Sequence, residues 1–333
     1  MTFEKIRNLL GSRGALSATQ VKACGYNITN LTSIKTMSNF KRILSKTIGM
    51  VLLIRPMNGV LGAFSALVGA YLVGGVEGLV ILRGSLFLAT SSVFLIMSGG
   101  NVLNDFFDLE IDRINRPRRP LPSGKVKRGE ALLLSILLSL LGISLSFFIH
   151  LWDFFIAILA SLSLFLYNLL LKKKGIAGNL LVSFLSGIVF LYGGFSMFPL
   201  SSYSTQTFFY LFFPFVFAFL FHLGREVIKD VADMEGDRKW NARTLPLQYG
   251  RDSALAFSRR VFLFLVLISP LPYIFQYFNL LYLLLVLVGV DLFLLVLLLF
   301  LYQNPSPGRL SMAGVLLKAD MVVGLLALVF GRV

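Results

Sequence analysis

Acidic residues are scarce in this chain, so their placement indicates what chemistry it could do. Only 16 of its 333 residues are Asp or Glu. Four fall within Asn104-Asp105-Phe106-Phe107-Asp108-Leu109-Glu110-Ile111-Asp112, and five within Glu226-Val227-Ile228-Lys229-Asp230-Val231-Ala232-Asp233-Met234-Glu235-Gly236-Asp237. On a helix Asn104, Asp108 and Asp112 recur at every fourth position and share a face, with Asn101 and Asp105 beside it; Glu226, Asp230, Asp233 and Asp237 share another. Carboxylates stacked on one face repel one another, which calls for a cation between them. Hard oxygen donors, with few histidines to compete, suit Mg²⁺, which takes one or two carboxylates and fills its octahedron with water and phosphate oxygens. Two such faces looking at each other would hold Mg²⁺ and clamp a diphosphate. Basic residues surround both: Arg113, Arg116, Arg118 and Arg119 follow the first stretch, Lys172 lies between the two, and Arg225 and Lys229 interleave with the second. Guanidinium groups grip phosphate oxygens bidentately, so Arg225, Lys229 and Lys172 are the strongest candidates for neutralising a leaving diphosphate. A single acidic stretch is usually a solvated loop. Two with one-face spacing, in a chain this poor in acid, weigh against that reading.

The elements that must hold these residues are membrane spans. Hydrophobic residues make up 56% of the chain and charged residues 14%, against roughly 25% charged in a soluble domain. A soluble fold could not cover that much apolar side chain with polar surface. Nine apolar stretches of spanning length occur near 48–73, 83–103, 131–150, 152–171, 176–199, 207–224, 256–277, 280–301 and 311–331. The expected fold is therefore an all-α membrane protein, a bundle of nine transmembrane helices around a central cavity. The net charge of +15 reads as basic loops facing anionic lipid, not as a nucleic-acid surface. Basic residues gather before span one and after spans two, four, six and eight, while the opposite loops offer only Arg83. That alternation puts the N-terminus in the cytoplasm and both acidic stretches on the cytoplasmic side. An integral protein of the plasma membrane, its site opening to the cytoplasm, is the expectation.

Residues 1–47 are basic and polar and lack the apolar core of a secretory signal. They read as a cytosolic or membrane-surface extension to an intramembrane domain at 48–333. The lone Cys24 excludes an intrachain disulfide.

These residues resemble the signatures of the UbiA superfamily of intramembrane prenyltransferases. Asn104-Asp105-x-x-Asp108-x-x-x-Asp112, with Asn115-Arg116-Pro117-x-Arg119-Pro120-x-Pro122-Ser123-Gly124, is similar to the first signature. Lys229-Asp230-x-x-Asp233-x-x-Gly236-Asp237, with Thr244-Leu245-Pro246, is similar to the second, while Arg55-Pro56-x-Asn58 and the run from Tyr167 through Lys172 to Gly178-Asn179 agree more weakly. The resemblance extends from about residue 50 to the C-terminus and is greatest to the archaeal-type digeranylgeranylglyceryl phosphate synthase branch. It departs at Asn168 and Asn241. It implies transfer of a geranylgeranyl group from geranylgeranyl diphosphate to the sn-2 hydroxyl of 3-O-geranylgeranylglyceryl phosphate, through an allylic carbocation. Metal ligands would be Asn104, Asp105, Asp108, Asp112, Asp230, Asp233 and Asp237; diphosphate contacts Asn58, Arg116, Arg119, Arg225, Lys229 and Asn179; catalytic groups Asp108, Asp230, Lys172 and Tyr167. Tyr167 and Tyr192 are candidates for stabilising the carbocation.

An aromatic acceptor such as 4-hydroxybenzoate, another quinone precursor or a chlorin would use the same donor site, and sequence separates these acceptors poorly because the acceptor pocket is built from dispersed apolar residues. An ion or phosphate transporter would place its ionisable groups nearer the bilayer midplane, and a lipid-binding scaffold would have no use for every acidic position. The remaining marked residues read as structural: Gly62, Ala66 and Ala70 as a packing stripe, His150 and His222 as groups without metal partners. Asp291, Lys318 and Asp320 are ionisable groups within spans, where a functional role or pairing to another helix is expected. The sequence sets no oligomeric state.

Overall fold

A computed structural model describes residues 28–333 except 173–174, 199–203, 240–241 and 304, with side chains from residue 39 onward except at 115. Cys24, Lys173, Lys174 and Asn241 lie outside the described residues. The chain divides into two compact units, 1–49 and 50–333, and the second carries all the site geometry below. In the first, the polar extension is helical from Ile28, in a helix running to Ile54.

In hydrocarbon, backbone groups must bond within their own segment, so an apolar chain of this kind folds as helices. Among the described residues nine spans result: Asn39–Ile81, Arg83–Phe107, Arg128–Phe147, Leu151–Leu171, Ile176–Phe195, Thr205–Ala232, Arg251–Ile274, Leu280–Tyr302 and Pro307–Gly331. The protein is an integral membrane protein of nine transmembrane helices. The expected boundaries shift where hydropathy misleads. Span five ends at Phe195 rather than 199. Span three starts at Arg128 and stops at Phe147, leaving His150 to cap span four by accepting from the Trp152 N–H.

Two shifts matter for chemistry. Span one is broken at Arg55, which sits in the left-handed region (φ 53) between helices Ile28–Ile54 and Pro56–Ile81. The residue before a proline is pushed out of the helical region, and Pro56 then starts the next helix where its missing N–H costs nothing. Asn101 of span two bonds the Ile54 carbonyl that the break exposes, at 3.3 Å. Span six, expected to stop near 224, continues to Ala232. Hydropathy falls at Arg225, but Glu226 takes Arg225 and Lys229 as partners on its own helix, so the helix carries the charges onward.

Spans one, two, five and six form the centre, span one packing on two and five, and six on five, seven and nine. Small residues permit it. A Cβ on Gly193 would lie 1.8 Å from the Ala66 carbonyl oxygen, and one on Gly69 would lie 2.2 Å from that of Phe190, so spans one and five meet backbone to backbone. Spans three and four are peripheral, with only 22% and 17% of their apolar windows buried in protein; Leu133, Leu137, Leu140, Leu159 and Leu162 face outward, where lipid would lie.

Candidate active site

Both acidic stretches straddle a helix junction at an aspartate. Span two ends at Phe107, Asp108 (φ −84, ψ 1) leaves helical geometry, and a short helix Leu109–Asn115 follows. Span six ends at Ala232, Asp233 (φ −95, ψ 5) does the same, and Met234–Lys239 follows. The four-residue hydrogen bonding survives both junctions: the Asp108 N–H bonds the Asn104 carbonyl at 2.9 Å, and the Asp233 N–H bonds that of Lys229 at 3.0 Å. Each junction thus bends the helix while keeping its acids in near-helical sequence.

The face expected from Asn104, Asp108 and Asp112 divides in two. Lys172 Nζ donates to Asn104 Oδ1 at 2.7 Å and forms an ion pair with Asp108. Asp112 instead joins Asp105, both held by Arg119, at 2.6 and 3.1 Å. Asp105 is buried and also paired with Arg55. Two guanidinium partners give Asp105 the place of an anchor that orients Arg55 and Arg119, rather than the open position expected of a metal ligand. The reason is register: Asp105 and Asp112 are seven apart, two helical turns, and so reach the same side chain. Lys172 is delivered by a π-helical turn at Tyr167–Leu171, whose wider winding bonds the Lys172 N–H to the Tyr167 carbonyl at 2.8 Å. Such turns concentrate at functional sites. Asn168, within this turn, is buried and bonds the Leu164 carbonyl.

Across from this set stands the second stretch. Arg116 reaches from the loop after the first to both carboxylate oxygens of Asp233, at 3.1 and 3.2 Å. Asn179 of span five donates to Asp230 at 2.8 Å. Glu226 is buried and holds Arg225 at 3.0 Å and Lys229 at 2.8 Å. Asp237 makes no side-chain hydrogen bond among the described residues. Tyr167 lies within electrostatic reach of Glu226, Asp230, Asp108 and Asp237, members of both stretches. Asn58 is bonded by Lys318 of span nine at 2.9 Å. Spacing puts Glu226 on the second acidic face, but neither it nor Arg55 is among the ligands and contacts expected from sequence; the Arg-Pro pair at the span-one break and the carboxylate between two cations were the available signals.

Burial and charge set the protonation of the groups beyond the spans. The Asp237 carboxyl is pushed up to about 6, first by burial and then by the neighbouring Asp233 carboxylate. Asp112 is raised by burial in spite of Arg119. Lys172 is lowered by burial, against the pull of Asp108.

Among the described residues no three carboxylate, histidine or cysteine side chains stand close enough to ligate a metal by themselves. The donors nonetheless fit Mg²⁺, which binds one or two carboxylates and completes its shell with substrate phosphate oxygens. Asp237, without a side-chain hydrogen bond among the described residues and crowded by like charge, is the oxygen donor with most to gain from a cation.

Residues 62–318 match the UbiA prenyltransferase family. The chain belongs to that family. It is an intramembrane prenyltransferase. It is 38% identical over 230 residues to digeranylgeranylglyceryl phosphate synthase of Methanosphaera stadtmanae, covering 69% of this chain and 79% of the relative. To the Methanocaldococcus jannaschii protein of the same name it is 39% identical over 234 residues, 69% and 77% of the two chains. A solved structure of a digeranylgeranylglyceryl phosphate synthase superposes with a TM-score of 0.67 at 35% identity, covering 86% of this chain and 98% of that one. A UbiA homologue from Archaeoglobus fulgidus, bound to GPP and Mg²⁺, shares the fold at a TM-score of 0.59 and 15% identity, over 84% and 99%.

In this prenyltransferase a cavity lies among spans one, five, six, seven, eight and nine, beneath the acidic stretches. His222 of span six, one turn from Glu226, lines it together with Phe217, Phe221, Asp291, Asp320 and Leu328. Its lining is mostly apolar, with two carboxyl groups set in it. Asp291 ends a second π-helical turn, Val286–Asp291, and accepts from Ser269 at 2.7 Å; one oxygen of Asp320 is buried without a hydrogen-bond partner among the described residues. Tyr192 is not brought to the site. It packs with Ala66, Val93, Ile96 and Ala157, and the carboxylate whose charge reaches it is Asp153.

Proposed function

We propose that the enzyme transfers a geranylgeranyl group from geranylgeranyl diphosphate to the sn-2 hydroxyl of 3-O-geranylgeranylglyceryl phosphate, forming the second ether bond of an archaeal-type membrane lipid. The observation that carries this reading is the opposition of two aspartate-centred helix junctions, joined by Arg116 and Asp233 and flanked by Lys172, above an apolar cavity. The shared identity with proteins named for that reaction supports the acceptor. The site would open to the cytoplasm, as the basic loops favour, in the plasma membrane, with residues 1–47 as an extension on that side.

Asp108, Asp230, Asp233 and Asp237, with Asn104 beside them, would hold more than one Mg²⁺ between them, one or two carboxylates to each ion, and the metal would supply the charge that makes the diphosphate a better leaving group. Asp112 supports this set through Arg119. Lys172 and Arg116 stand where they can transfer hydrogen bonds from carboxylates to phosphate oxygens, and Arg119 and Lys229 add charge at the rim. As the carbon–oxygen bond lengthens, positive charge develops on the allylic carbon, and the Tyr167 ring stabilises it through its electron-rich face. The acceptor hydroxyl oxygen then attacks that carbon. Its proton passes to a carboxylate, with Asp230, held by a neutral amide, the best placed to take it. The apolar cavity receives the prenyl chain and keeps water from the cation.

The test is a transfer assay with purified protein, labelled geranylgeranyl diphosphate and Mg²⁺, offering geranylgeranylglyceryl phosphate or 4-hydroxybenzoate. Product on the glyceryl phosphate that is lost with EDTA is expected. Product on the aromatic alone would keep the donor site and overturn the acceptor.

A further inference from the structure

Span nine carries a lysine, Lys318, about three turns in from its start at Pro307. An ammonium at that depth is costly unless anions or several oxygens surround it. Its Nζ donates one hydrogen bond, 2.9 Å to Asn58 Oδ1 on span one. No carboxylate lies within ion-pairing distance of it among the described residues. The charges of Arg225, Arg55 and Lys229 bear on it, opposed by that of Glu226.

The carboxylates in this corner are already taken. Glu226 is shared by Arg225 and Lys229, and Asp105 by Arg55 and Arg119. Among the described residues the buried Nε of Arg225 has no hydrogen-bond partner, and the side-chain amide of Asn58 donates no hydrogen bond. This corner therefore has a surplus of cation and of free donors, the reverse of the aspartate-lined corner, where Asp237 makes no side-chain hydrogen bond among the described residues.

A transfer between two phosphorylated lipids must bring two polyanions side by side, and their repulsion grows as water is excluded. The diphosphate is provided for by the acidic stretches and their cations. We propose that Lys318, with Asn58 and Arg225, forms a separate subsite for the phosphate monoester of the acceptor. This rests on the reading of the acceptor as a phosphorylated glycerol lipid, and it explains why span nine supplies a cation whose partner is neutral. A phosphate arriving at Lys318 displaces no ion pair, so the full strength of a charge-assisted hydrogen bond goes to binding. An aromatic acceptor without phosphate would have no use for it.

The experiment is steady-state kinetics of the purified enzyme and of Lys318→Gln, Lys318→Arg and Asn58→Asp, varying each substrate in turn, with geranylgeranylglycerol as the acceptor lacking phosphate. Lys318→Gln should raise the KM for geranylgeranylglyceryl phosphate roughly 10- to 100-fold, leave the KM for geranylgeranyl diphosphate within about twofold, and leave turnover of geranylgeranylglycerol unchanged. Lys318→Arg should restore most of the loss. Asn58→Asp, which gives Lys318 a carboxylate, should raise the same KM without removing the lysine. A folded Lys318→Gln enzyme with an unchanged acceptor KM would overturn the subsite while leaving the acceptor reading intact. A rise in the diphosphate KM instead would move Lys318 to the donor site, and equal losses on both acceptors would make it structural. Wild-type enzyme inactive on the glyceryl phosphate would overturn the acceptor reading and the subsite together.

Discussion

In the first acidic stretch the three aspartates are each held by a cation from elsewhere in the chain: Asp105 by Arg55 and Arg119, Asp108 by Lys172, Asp112 by Arg119. In the second, Asp233 is held by Arg116 and Glu226 by cations of its own helix, while among the described residues Asp230 has only the amide of Asn179 and Asp237 has no side-chain hydrogen bond. The two stretches share spacing and a helix junction at an aspartate, yet one is clothed in cations and the other leaves oxygens open. Similar sequence patterns thus serve complementary ends. The first arranges cations that can pass to a phosphate; the second keeps two aspartates, Asp230 and Asp237, whose oxygens a metal can take without first breaking a salt bridge.

The largest effect expected of that contrast is on folding. Asp105→Ala should lower stability by about 3 kcal/mol, because removing one partner of a buried ion pair strands the other. It should leave the Mg²⁺ concentration for half-maximal rate unchanged, as read by thermal unfolding in detergent and Mg²⁺ titration. A shifted Mg²⁺ requirement in a stable protein would return Asp105 to the metal ligands. Next, Asp230→Ala should cost at least roughly 10²-fold in turnover, the scale of one charge-stabilising group, with the unfolding midpoint preserved. Asp108→Ala should match it in turnover, and full activity in either variant would break the proposed pairing of the stretches.

A smaller effect concerns protons. The Asp237 carboxyl titrates near 6, well above an ordinary aspartate, so below that pH it carries a proton that a metal must displace. The Mg²⁺ requirement should rise by up to roughly tenfold per unit as the pH falls below 6, and Asp237→Asn should lessen that slope. The smallest effect belongs to the tie between the stretches. Arg116 and Asp233 are 38% and 28% exposed at the side chain, so Arg116→Ala should change stability by less than about 1 kcal/mol while raising the KM for the diphosphate severalfold. A large loss of stability would show that the tie holds the fold.

Much of this was legible from sequence for definite reasons. Lipid leaves the backbone no partner but itself, so hydropathy alone locates the spans, and it fails where charge is paired inside the helix, as Glu226 with Arg225 and Lys229 extends span six to Ala232. The grouping of Asn104 with Asp108, and of Asp105 with Asp112, followed from spacing only in part. Which strip takes which cation depends on Lys172 and Arg119, placed by a π-helical turn and by a loop that spacing does not describe. Tyr192 shows the same limit. Its residue type suited a role facing the cation, but it packs beside Asp153, away from the acidic stretches.

By itself the sequence determined the class of solvent, the count of spans, and the presence of two acidic helix faces ringed with basic residues, because these depend on composition and on the fixed periods of the helix. Only the tertiary structure decided which charges meet. Arg55 reaches Asp105 across 50 residues, Lys172 reaches Asp108 across 64, and Lys318 reaches Asn58 across 260. Such pairings follow from how helices pack through their glycine and alanine faces, and no local spacing encodes them.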